Sequence, residues 1–482
     1  MGTPVRAGTG AVRDRWPLCS PAVPRRLLAL FASAPLALVA LAGCGSEEQG
    51  DTPELVLERA GDDAEPPGDA PPPTFPNTAT TNTVRVAGRD ATEDAAGVAA
   101  AVFPATSESD RPDAVVLVDE DDWQGGVAAS VLTSDAIGAP ILLTEGDELP
   151  AVTAGTLARL DPPGSAAAED AQVIRIGDAV PRPEDRQDAV ISGDDAFELA
   201  AEIDRFSAEA AGEPSENVVL ASVEEAAFAM PAAAWAARSG DAVLFTEKDA
   251  LPEATIAALE EHDRPDVYVL GPESVISKTV ERELDDVAGQ VRRIEGEDAV
   301  ETAVEFARYD TGSFGWALLT PGHNFTLAST SRPLDAAVAA TLATNGTFAP
   351  LLLTDDVSEL PTALRSYFLD IQPGFEENPN RGVYNRVWIL GDQATVSLAV
   401  QSEVDDLTEL IAVQGEGAPP DDAPAPDSPN DGSSPSDRGP TFGDFADDPS
   451  LDGGSTDAVP PSDDGPIGPG GIPAPQGPGV PP

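Results

Sequence analysis

The chain has 482 residues, and its 85 acidic against 27 basic side chains give a formal net charge of −58. A polyanion of that strength repels phosphate backbones, which excludes general nucleic-acid binding, and it suits solubility in high salt, where self-repulsion is screened. The only cysteines are Cys19 and Cys44 and the only histidines His262 and His323, so the body of the protein has no disulfide scaffold or thiolate metal site and little means for acid–base catalysis near neutral pH.

Arg25-Arg26 precedes a run from Leu27 to Ala42 that is apolar apart from Ser33 and Pro35. It is short for a membrane span and reads as the core of a signal peptide. It ends in Leu41-Ala42-Gly43-Cys44, which resembles the lipobox of bacterial lipoproteins. Residues 1–43 are therefore expected to be removed and Cys44 to carry the lipid, anchoring the chain on the outer face of the cytoplasmic membrane. Residues 44–82 lack hydrophobic periodicity, carry Glu47-Glu48, Asp62-Asp63 and Pro71-Pro72-Pro73, and read as a disordered acidic tether.

Beyond the tether the chain repeats itself. Pro140-Ile-Leu-Leu-Thr144, Ala242-Val-Leu-Phe-Thr246 and Pro350-Leu-Leu-Leu-Thr354 are each followed by a Leu-Pro pair, at Leu149-Pro150, Leu251-Pro252 and Leu360-Pro361. A period near 105 residues is too long for a solenoid unit and is long enough for a small domain. Segment one (84–188) opens at Val84-Arg-Val-Ala-Gly88, with helices over Ala91–Phe103, Val127–Ile137 and Val152–Leu160 between apolar runs at Ala114–Val118, Pro140–Thr144 and Val173–Gly177. Segment two (189–290) opens at Val190-Ile-Ser-Gly193, with strands at Asn217–Leu220, Ala242–Thr246 and Val267–Gly271. Segment three (291–413) opens at Val291–Gly296, with strands at Trp316–Thr320, Leu351–Thr354 and Val387–Gly391 and an insertion over 371–385. Short continuous apolar runs alternating with helices predict parallel, doubly wound α/β sheets, with the runs around Leu142, Leu244 and Leu352 as equivalent central strands. Residues 414–482, rich in Pro, Gly, Asp and Ser, read as a disordered acidic tail.

This order, Arg-x-x-Gly-x-Asp and a helix, an apolar strand, Pro-Ile-Leu-Leu-Thr with a following Leu-Pro, then Val-x-x-Leu-Gly, resembles the cell wall-binding repeat 2 family of bacterial surface proteins. The resemblance covers residues 84–412 as three copies. It implies three tandem Rossmann-like modules packed as a pseudo-trimer, holding the protein non-covalently to an anionic wall polymer. The opening motif departs from the family: the Arg-Tyr pair that usually follows its aspartate is absent from Asp90–Ala95, Asp194–Leu199 and Asp298–Ala303.

Chemistry is sparse. No Gly-x-Gly-x-x-Gly follows an opening strand, and Gly-Lys-Ser/Thr, Gly-x-Ser-x-Gly and His-Glu-x-x-His are absent, so no cofactor, metal or catalytic residue is assigned. Asp119-Glu-Asp-Asp122 reads as a solvated acidic loop, with a calcium site as its alternative; Glu224-Glu225 and His323-Asn324 are taken as its counterparts. Arg85, Arg89, Arg175, Arg292 and Arg293 cluster at the glycine turns and are the candidate polymer contacts, since guanidinium groups recognise phosphate and carboxylate bidentately; pairing with nearby acids is the other use open to them. The reading is a non-catalytic envelope lipoprotein that binds a wall glycopolymer or an envelope partner, and the alternative is a solute-binding lipoprotein that serves a transporter.

Overall fold

A computed structural model describes residues 78–344, 347–376 and 378–413. The expected signal peptide, Cys44, most of the expected tether and the expected acidic tail lie outside the described residues. The chain forms two compact units, the larger spanning 78–373 and 383–409 of the described residues.

In chain order the first segment comprises β1 (Thr78–Ala79), β2 (Thr83–Val86), α1 (Ala91–Val102), β3 (Val115–Asp119), α2 (Trp123–Ala129), β4 (Ile141–Thr144), α3 (Ala151–Leu160) and β5 (Val173–Ile176). The second comprises β6 (Asp188–Ile191), α4 (Ala196–Ala211), β7 (Asn217–Ser222), α5 (Ala226–Ser239), β8 (Ala242–Thr246), α6 (Glu253–Glu261), β9 (Asp266–Leu270) and α7 (Lys278–Leu284). The third comprises β10 (Gln290–Ile294), α8 (Ala299–Arg308), β11 (Asn324–Ser329), α9 (Asp335–Leu342), β12 (Leu351–Thr354), α10 (Thr362–Asp370), β13 (Gly374–Phe375), β14 (Arg386–Leu390), α11 (Leu398–Leu407) and β15 (Ile411–Ala412).

The strands build three sheets of one design: β4-β3-β5-β6, β8-β7-β9-β10 and β12-β11-β14-β2-β1. Every pairing in them is parallel except β1 with β2. Val115–Val118 is wholly buried, as a parallel strand covered on both faces requires.

The strand that opens each segment does not join that segment's sheet. β6 pairs with β5 and β10 with β9, so each completes the sheet before it. β2 pairs with β14, Val84 opposite Trp388, and completes the third sheet. Regular structure begins at Thr78, within the stretch expected to be tether: β1 pairs with β2, and the Asp405 carboxylate of α11 accepts from Thr80 Oγ1 and, at 2.7 Å, from Asn82 N. The three sheets are thereby joined in a ring closed by the first and last strands of the unit.

The helix after each opening strand crosses to its own segment, α1 against β4, α4 against β8 and α8 against β12. The strands carrying Leu142, Leu244 and Leu352 are equivalent, but they lie at the sheet edge rather than at the centre. All three leucines are buried nonetheless, because those helices cover that edge. The Leu-Pro pairs belong to the same device. Pro150, Pro252 and Pro361 are the N-caps of α3, α6 and α10, and Thr153 and Thr255 donate to the edge carbonyls of Leu143 and Phe245 at 2.7 Å.

Helices α2, α5 and α9 pack on one another. Their shared surface is built from small residues, among them Ala128, Ala233, Ala236, Ala337 and Ala340, all buried. At Gly126 a β-carbon would sit 3.0 Å from Leu334 Cδ2, which shows how close the helices approach. The second unit is small: β13 and β15 pair in parallel, Gly374 opposite Ile411 and Phe375 opposite Ala412.

One expected strand is absent. Trp316–Thr320 is irregular, and the strand that takes its expected place is β11, which begins at Asn324. Gly315 and Ala317 have positive φ (108° and 56°), which breaks any extended run, and Trp316 turns into an aromatic cluster with its ring centroid 5.5 Å from that of Trp235.

Candidate functional site

Open parallel sheets present ligand-binding crevices at the carboxyl ends of their strands. Two sets of turns form that edge here. The first follows β3, β7 and β11. Main-chain bonds fix each alike, from Glu120 N to Thr144 O, Val223 N to Thr246 O and Thr330 N to Thr354 O. Asp119 Oδ1, Ser222 Oγ and Ser329 Oγ then accept from the amide two residues on, at 2.8, 3.2 and 3.3 Å. Asp122 Oδ1 caps α2 through Gly125 N at 2.8 Å. The acids of Asp119–Asp122 are thus partly spent on turn geometry, and among the described residues no group of three or more potential metal ligands converges.

This alignment corrects the counterparts assigned from sequence. Asp121-Asp122 and Glu224-Glu225 correspond to Ser331-Arg332, not to His323-Asn324, because the strand of the third segment lies later than expected. The sign of charge therefore reverses in one turn of three.

The second set follows the opening strands. Asp90, Asp195 and Asp298 cap α1, α4 and α8; the capping residue of the second segment is thus Asp195, one after the Asp194 aligned from sequence. Three residues on, Glu93, Glu198 and Glu301 reach back to the amides of Arg89, Asp194 and Glu297 at 3.0, 3.1 and 2.6 Å, a capping box in each repeat. A β-carbon on Gly88, Gly193 or Gly296 would meet the amide of Asp94, Leu199 or Thr302 at 2.6, 2.3 or 2.5 Å, so glycine is there for close approach of strand and helix.

Three of the five arginines face inward. Arg85 is 1% exposed; its Nη1 donates to Gly391 O (2.9 Å) and Asp392 O (3.0 Å), and its Nε to Gln401 Oε1 (2.9 Å). Arg293 donates to Gly271 O, to Ile276 O at 2.8 Å and to Glu281 Oε1 at 2.8 Å. Arg175 donates to Val180 O at 2.6 Å and Asp188 Oδ2 at 2.9 Å. Each closes the turn after the third strand of its sheet, where Gly177, Gly271 and Gly391 have positive φ. In cross-strand register Arg175 faces Val190, Arg293 faces Val269 and Arg85 faces Ile389. The guanidinium has changed strands in the first sheet while keeping its task. Arg85 is buried, the Arg175 and Arg293 side chains are 13% and 10% exposed, and all three are engaged with main-chain carbonyls. Arg292, about one-third exposed, donates to Tyr268 Oη at 2.9 Å and to Gln290 Oε1 at 2.7 Å. Arg89 is 78% exposed and pairs with Glu93.

Where the first segment meets the third, the edge opens into a cavity of about 420 Å³ walled by Arg89, Glu120, Asp121, Trp123, Arg332 and Leu334. Phe245 meets the Trp123 indole edge-on, with centroids 5.9 Å apart. Arg332 Nη2 donates to Asp335 Oδ1 at 2.9 Å and to Asp94 Oδ2, whose other oxygen accepts from Gly88 N at 2.6 Å. Both aspartates are completely buried. Burial pushes the Asp94 carboxyl up to about 6 and that of Asp335 to about 7, against the pull of Arg332. Burial, with Glu145 and Asp121 nearby, also raises Glu120.

Sequence reasoning missed Arg332, Asp94 and Asp335. Their signal was the basic residue replacing Asp122 and Glu225, hidden by the misplaced strand. His323 is half-buried with its pKa lowered by burial, and its amide donates to Asn385 Oδ1 at 3.2 Å.

Residues 190–281 and 293–401 match the family described as cell wall binding domain 2 (CWB2). Among solved structures the chain is similar to Cwp6 from Clostridium difficile (19% identity, TM-score 0.56, 68% of this chain and 48% of that one). It is likewise similar to Cwp8 from Clostridium difficile (21% identity, TM-score 0.52, 68% and 52%). The chain thus spans about half the length of those proteins, and at this identity the likeness is one of fold. No curated protein matches it. Residues 190–281 and 293–401 are thus two regions of the cell wall binding domain 2 family.

Proposed function

We propose that this chain is a non-catalytic envelope protein whose ring of three sheets holds a cell-wall glycopolymer at the carboxyl edge of its strands. The family match over 190–281 and 293–401 is the observation that carries the reading. The common architecture of the three sheets supports extending it to the first segment, so that 84–188, 189–290 and 291–413 act as three descendants of one module. Of the arginines weighed as polymer contacts, Arg89 fits that role best, being exposed on this edge, and Arg292 is second. We further propose that Cys44 carries a lipid, that the chain leaves the outer face of the cytoplasmic membrane on a tether ending before Thr78, and that residues 414–482 form a solvated acidic tail.

Co-sedimentation of the purified protein with walls of the producing organism, with and without chelator, tests this function. Saturable retention is expected. A pellet fraction equal to that of an unrelated acidic protein under every condition contradicts it.

A further inference from the structure

The turns that wall the cavity between the first and third segments differ in chemistry from the equivalent turns elsewhere on the ring. Trp123 follows the turn after β3, and the matching positions hold Ala226 and Pro333. Arg332 stands where the other turns carry Asp122 and Glu225. An aromatic face, an apolar side chain and polar side chains of both signs therefore line this one cavity together.

We propose that this cavity is a subsite for an uncharged sugar ring, one residue of a neutral or N-acetylated glycan segment, and that it is present once per chain. The inference rests on the wall-binding reading and narrows it. About 420 Å³ suits one or two pyranose units. Pyranose rings have an apolar C–H face that lies against an indole, and Phe245 holds Trp123 from the protein side. Leu334 adds an apolar lining group, a fit for an N-acetyl methyl group. Glu120 and Asp121 offer acceptors to sugar hydroxyls, and Arg89 offers donors.

Charge selects against the alternative. Arg332 is neutralised by Asp94 and Asp335, and Arg89 is paired with Glu93. Asp90, Glu120 and Asp121 remain facing the cavity, so a phosphate or carboxylate placed here meets a net negative wall. Anionic groups of a wall polymer would have to lie elsewhere on the ring, with this cavity gripping its uncharged sugars.

The test is calorimetric titration of the full-length protein with N-acetylchitotetraose and, separately, with poly(glycerol phosphate), alongside wall co-sedimentation. The expected result is one chitotetraose site per chain, with affinity falling about tenfold or more in Trp123→Ala. Glu120→Gln and Arg89→Ala change exposed side chains outside the core, with a urea melt of each to check folding, and each is expected to weaken the same site by about threefold, the loss of one hydrogen bond. Absence of chitotetraose binding, three equivalent sites, or unchanged affinity in all three variants overturns the subsite. So does poly(glycerol phosphate) binding that is lost in Trp123→Ala. Wall retention without chitotetraose binding refutes the subsite and leaves the wall reading standing. Chitotetraose binding at Trp123 without wall retention does the reverse.

Discussion

Arg85 Nη1 donates to the carbonyl of Gly391 at 2.9 Å, across 306 residues of chain. With the β2–β14 pairing, that bond makes the first strand of the ring part of its last sheet. Arg85→Ala strands three acceptors, those on Gly391 and Gln401 buried and that on Asp392 partly so, and is expected to cost on the order of 3 kcal/mol. Arg85→Lys cannot span all three acceptors and should recover only part of it. Urea melts of the variants check both; a cost near zero in Arg85→Ala would mean that the closure contributes nothing.

A second tie crosses the same junction. Removing Arg332 leaves Asp94 and Asp335 buried without their cation, and Arg332→Ala is expected to cost about 3–5 kcal/mol at pH 8. Because both carboxyls titrate above the ordinary aspartate range, the folded chain binds more protons than the unfolded one between about pH 4 and 7. Their contribution to stability is fully present below pH 4 and is lost as pH rises through 6 and 7. Asp335→Asn should therefore flatten the decline in melting midpoint between pH 5 and 8, and an unchanged slope contradicts the assignment.

How much of this was legible in the sequence depends on which signal a residue carried. The α/β class, the three repeats and most helices followed from apolar runs and caps, because buried parallel strands and Asp-x-x-Glu starts impose local patterns. Closure of the ring did not, since Thr83–Val86 has the same strand composition whichever sheet it joins. Trp316–Thr320 looked like a strand because its residues are apolar; they serve the cluster of Trp235, Phe306 and Phe314 instead. The arginines at the glycine turns were visible, but their inward direction is a property of the folded sheet.

His262 lies between Ser215 O, 2.8 Å from Nδ1, and Asp204 Oδ2, 2.7 Å from Nε2. Burial opposes its charge, but the hydrogen bond and attraction of Asp204 outweigh burial and raise its pKa. A histidine with a raised folded pKa stabilises fully below its unfolded value of about 6.5 and loses that contribution as pH rises through the folded value. NMR titration should find His262, raised by Asp204, titrating at higher pH than His323, which is lowered by burial. The reverse order would contradict the pairing.

The central claim is that the carboxyl edge of the ring is where the wall is held. Hydrogen exchange of the intact protein, measured by mass spectrometry with and without purified walls, tests it most directly. The account predicts slowed exchange in peptides spanning 88–93, 119–125 and 330–335, with the opposite edge around Asn217 and Asp266 unchanged. Retention on walls with protection confined to that opposite edge would contradict it.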